Sequence, residues 1–105
     1  MSDSIVVQFE TLEGLADELA ALSAELASEA DLCRSAVYTF GTAADGEVAG
    51  AAAQLGTGWA ELVALLAEGT DAVAGSLRAA VRSYRLQEAQ LSDRHLYVLG
   101  GVAAP

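Results

Sequence analysis

The chain has 105 residues and a formal charge of −10, with 53% of its residues hydrophobic. That length supports one small domain, and the acidic surplus disfavours binding to nucleic acid or anionic lipid surfaces. Alanine, leucine and glutamate dominate, β-branched and aromatic residues are few, and the one proline is the last residue, so an all-α fold is predicted.

Residues 2–9 include Ile5-Val6-Val7-Gln8-Phe9, which reads as extended at best. This N-terminus has no basic region and no long apolar run, so no Sec signal peptide is expected, and no stretch is apolar enough for a membrane span. A first helix is predicted over 11–38, with Thr11 as its N-cap and the early acids favourable to its dipole. Leu12, Leu15, Leu19, Leu22 and Leu26 recur at spacings of 3, 4, 3 and 4, which marks them as core or interface. Glu29 interrupts the stripe and Cys33, Ala36 and Phe40 resume it; Cys33 reads as a small buried hydrophobe. Glu13, Asp17, Glu18, Glu25 and Asp31 lie off the stripe and read as a solvated face.

The segment 39–46, with Phe40-Gly41 and Asp45-Gly46, carries the turn signals and is predicted to be the connector. The second helix is predicted over 47–91, its stripe formed by Val48, Leu55, Trp59, Leu62, Leu66, Val73, Leu77, Val81 and Tyr84. Trp59 is expected to anchor a core or interface, and Gly56-Thr57-Gly58 is a potential break. Residues 92–105 read as a fraying, flexible tail. Two such helices pack as an antiparallel hairpin. Apolar residues flanking the stripes, such as Leu32, Val63 and Leu65, widen each face beyond what one hairpin covers. Pairing of two hairpins into a four-helix bundle is therefore predicted.

No catalytic set is present. Cys33 is the only cysteine and His95 the only histidine, which leaves no cysteine-based metal site and removes most triads. No enzyme activity, cofactor or metal is expected. Tyr84-Arg85-Leu86-Gln87-Glu88 places Tyr84 and Glu88 four apart, on one helix face. With a turn near residue 43 and a first helix starting near 10, both would project past the end of that helix.

Taken together, Phe40-Gly41 at the connector, Trp59 in the second helix and Tyr84-x-x-x-Glu88 near its end resemble the small WXG-type substrates of type VII secretion. The resemblance covers about residues 5–91 and is nearer to the EspC-like branch. The connector reads Phe40-Gly41-Thr42 where the main branch has Trp-x-Gly, and the tryptophan stands as Trp59-Ala60-Glu61. The resemblance implies export without a cleaved signal peptide, as a folded dimer with itself or with a paralogous hairpin. It also implies that Tyr84 and Glu88 belong to the signal read by a membrane-anchored secretion ATPase, with Arg85 and the tail as auxiliaries. A second reading from the residues alone is a cytoplasmic adaptor or chaperone that covers a helical segment of a larger effector or toxin. A lipid-surface helix is disfavoured because its polar face should be basic.

Overall fold

The computed structural model describes residues 3–100 as two α-helices, α1 (Asp3–Ala43) and α2 (Gly46–Leu99), forming an all-α helical hairpin with no strand among the described residues. Contacts divide the chain into two units. Unit 1 joins residues up to Asp17 with those from Ala74 onward, and unit 2 runs from Glu18 to Val73.

Both helices are longer than their sequence periodicity indicated. α1 begins at Asp3 and includes Ile5–Phe9, because burial of Phe9, only 7% exposed, outweighs the weak helix preference of Ile5, Val6 and Val7. Thr11 is consequently not a cap. It lies inside α1 and its Oγ1 donates to the Val7 carbonyl at 2.8 Å. α1 also continues through Phe40 and Gly41, so these residues are helical and not the connector. Thr39 Oγ1 and Thr42 Oγ1 bond to the Ser35 and Thr39 carbonyls, and the Ala44 N–H donates to the Phe40 carbonyl at 3.0 Å. The connector is only Ala44 and Asp45, and the reversal is completed by Gly46 at φ 91°, a left-handed conformation that glycine adopts without a Cβ penalty. At the other end α2 runs past residue 91 to Leu99, and the Gly100 N–H bonds to the Leu96 carbonyl at 2.9 Å. Leu96, Tyr97, Val98 and Leu99 are all exposed there. Residues 101–105 of the expected tail lie outside the described residues.

The contact seam differs from the expected leucine stripe by a rotation of each helix. On α1 the inward positions are Phe9, Leu12 and Ala16 in unit 1, then Leu19, Ser23, Leu26, Ala30, Cys33 and Val37 in unit 2, a strict alternation of 3 and 4. On α2 they are Ala49, Ala53, Gly56, Ala60, Val63, Ala67 and Thr70 in unit 2, then Ala74, Leu77 and Val81 in unit 1. Small residues hold the most buried places, with Ala16, Ala30, Ala60 and Ala74 at 0–1% exposure. Leu15, Leu22, Trp59, Leu62 and Leu66 are therefore not core residues; they are exposed on the flank of the seam, while Leu19 and Leu26 are half-buried. The physical reason is spacing. Methyl groups at the contact positions let two helices pack closely, which leaves no room for a leucine or tryptophan between them.

The close approach in unit 2 is visible at two points. Ser23, buried in the seam, donates from Oγ to the Ala67 carbonyl at 2.7 Å. Gly56 faces Val37, and a Cβ on Gly56 would collide with Val37 Cγ2, whereas a Cβ on Gly58 would meet nothing within 4 Å. α2 is continuous through both glycines, and only Gly56 is required by packing. Gly58→Ala should stabilise the protein by up to about 1 kcal/mol through helix propensity. Gly56→Ala should forfeit that gain and lose about 1–3 kcal/mol to overpacking against a β-branched side chain with a stiff χ1. Thermal melts of the two variants followed by circular dichroism should therefore shift in opposite directions.

Candidate functional site

In unit 2 the two flanks of the seam differ in chemistry. One flank is a groove lined by Leu19, Leu22, Leu62, Leu65, Leu66 and Val73 with Gly69 and Thr70. Apart from the half-buried Leu19, its large side chains are about half exposed, from 44% at Leu22 to 63% at Leu65. Leu55 and Trp59 extend the same row of α2, since 55, 59, 62, 66, 69 and 73 are separated by 4 and 3 in turn. The other flank is lined by Ala27, Asp31, Arg34, Ala64, Glu68 and Asp71 among others, and there Arg34 pairs with Asp31 at 3.0 Å. The charges of this flank come from Asp31 and Arg34 on α1 and from Glu68 and Asp71 on α2.

Unit 1 holds Tyr84 and Glu88. They do not project beyond α1, because α1 starts at Asp3 and its first turns lie beside them. Tyr84, Gln87, Glu88 and Leu91 of α2 line a groove with Ile5, Gln8, Phe9 and Leu12 of α1. Tyr84 is 55% exposed and Glu88 is half-buried, so one face presents a phenol beside a carboxylate over an apolar floor. Arg85 turns inward from the same helical turn. Its guanidinium carbon lies 5.4 Å from the Phe9 ring centroid, and its Nη2 forms an ion pair with Glu13 Oε1 at 3.1 Å. The Arg85 Nε is buried with no hydrogen-bond partner. Arg78 bonds Asp17 at 2.8 Å, and Glu13, Asp17, Arg78 and Arg82 line one surface. Glu13 and Asp17, read from sequence as solvated, are thus partners for arginines of α2. Phe9 was missed because its segment was read as extended; its position seven residues before Ala16 is the signal that places it in the seam.

Among the described residues no cluster of three or more His, Cys, Asp or Glu side chains is arranged to hold a metal ion, and no helix is long and apolar enough to cross a membrane. Cys33 is a free, half-buried thiol, and His95 is exposed on the last turns of α2. Comparison of the chain with protein-family models, with curated proteins and with solved structures finds no match in any of the three.

The Arg85 arrangement combines a cation over a ring, worth about 0.5–1 kcal/mol at an exposed site, with a partly exposed ion pair worth about 0–1 kcal/mol. Arg85→Ala should therefore cost about 0.5–2 kcal/mol in urea unfolding. Raising the salt concentration in the wild-type protein should remove only the Glu13 share, because the ring contact and the packing of the side-chain stem persist.

Proposed function

We propose that this protein is a helical-hairpin component of type VII secretion, exported without a cleaved signal peptide and acting through protein–protein contacts as a substrate or secretion partner. The observation that carries the proposal is the two-sided character of unit 2, where leucines crowd one flank of an alanine seam and charges occupy the other. A hairpin that displaces its large apolar side chains outward needs another polypeptide to shield them, and a second hairpin completing a four-helix bundle does so with the same packing rules. The occupant is a copy of this chain or a paralogous hairpin.

The resemblance to the EspC-like branch supplies the secretion context. In this reading Tyr84 and Glu88 are the recognition face for the membrane-anchored ATPase. The exposed Tyr84 and half-buried Glu88 share a groove with Gln87 and Leu91, which supports that role, since one pocket can grip the phenol and the carboxylate together. Arg85, engaged with Phe9 and Glu13, holds that turn in place and is not a free contact.

The test is export from a host carrying such a system. Tyr84→Ala and Glu88→Ala should each lower the amount of protein in the medium at least tenfold while the cellular pool and its helicity are maintained. Wild-type levels of either folded variant in the medium would remove the signal assignment. A wild-type protein that stays in the cytoplasm and never exceeds a bound effector would favour the adaptor reading.

A further inference from the structure

The proposal above leaves open whether the apolar flank of unit 2 receives a second copy or a different chain, and charge decides between them. Residues 18–73 carry nine acidic side chains and one arginine, and that arginine, Arg34, is already paired with Asp31 on the opposite flank. The acids nearest the apolar groove are placed in a repeated pattern. On α1, Leu22 has Glu18 one turn before it and Glu25 one turn after it; on α2, Leu65 has Glu61 and Glu68 at the same offsets. Residues three and four apart on a helix are surface neighbours, and all four glutamates are exposed. Carboxylates thus stand next to Leu22 on α1 and next to Leu65 on α2, Glu68 also lining the charged flank beyond.

A second copy would bring an identical pair of edges. Whichever way it is turned, parallel or antiparallel, carboxylates meet carboxylates, and like charges set face to face across an interface select against that pairing. The four arginines of unit 1 lie outside residues 18–73, and two of them, Arg78 and Arg85, are engaged with Asp17 and Glu13 of their own unit. We infer that the occupant of this groove is a helix of a different protein, with an apolar stripe bordered on both sides by lysine or arginine. This rests on the reading of the chain as an interaction hairpin and specifies the chemistry of its partner.

A defined probe is available in the chain itself. The variant Glu18→Lys/Glu25→Lys/Glu61→Lys/Glu68→Lys keeps every leucine of the groove and reverses both edges at exposed helical positions, where lysine is an equally good helix former. Sedimentation and circular dichroism would be recorded on each chain alone and on the equimolar mixture at about 0.15 M salt, where screening acts over about 8 Å. The expected result is that neither chain self-associates at micromolar concentration, while the mixture forms a one-to-one complex. That complex should weaken at least tenfold on raising the salt from about 0.05 to about 0.5 M, and Leu62→Ser/Leu66→Ser in the wild-type chain should abolish it without loss of helix.

Self-association of the wild-type chain as tight as the mixed complex would overturn the inference and make a second copy the occupant. A mixture of two helical chains that fails to associate would overturn it by showing that the groove does not take a basic-edged helix. Neither outcome alters the dependence of export on Tyr84 and Glu88, so failure here and failure of the secretion reading are separately visible.

Discussion

The smallness of the side chains between the helices governs the rest of this protein. Ala16, Ala30, Ala60, Ala67 and Ala74 occupy positions where a bundle with wider spacing would carry leucine, and each buries little more than a methyl group. Val81 is the one large side chain among the described residues with under 2% exposure. Backbones drawn together in this way expel bulk to the sides, and Gly56 beside Val37 marks where even a methyl is too much. The apolar content of the sequence is therefore spent mostly on surfaces and only slightly on an interior.

Within unit 1 the same closeness sets acids of α1 beside arginines of α2. Asp17 meets Arg78, Glu13 meets Arg85, and Phe9 lies under the Arg85 guanidinium. These contacts fix the pairing of the two helix ends more by geometry and steric fit than by energy, since exposed ion pairs contribute little. Among the described residues unit 2 has no ion pair between its two helices and relies on its seam, where the Ser23 hydroxyl reaches across to the Ala67 carbonyl. Its excess of acid is left facing solvent.

How much of this was legible in the sequence depends on which signal is consulted. The all-α hairpin, and a turn ending at Gly46, follow from composition and from the recurrence of apolar residues. The inward face does not follow from hydrophobicity. Leu12, Leu19 and Leu26 belong to two registers at once: with Leu15 and Leu22 they make the stronger apolar stripe, with Ala16 and Ser23 the weaker one, and the weaker one is the seam. Hydrophobic ranking favours leucine over alanine, whereas close packing favours the reverse. The better indicator is the seven-residue spacing of Ala60, Ala67, Ala74 and Val81, together with the matching rows of Glu61, Glu68 and Arg82 and of Asp71, Arg78 and Arg85. At the termini the difficulty is of another kind. Ile5–Phe9 has the local preferences of a strand, and the burial of Phe9, with Arg85 from far along the chain over its ring, is not a local signal.

The last turn of α2 places Leu96, Tyr97, Val98 and Leu99 in immediate succession. At 3.6 residues per turn their side chains are fanned through about 300° of azimuth. A planar surface laid against this helix end can dry two of them at most, and the remainder stay wet. Only a concave cup that encircles the axis can take all four out of water together, so the geometry of this terminus selects sockets over platforms.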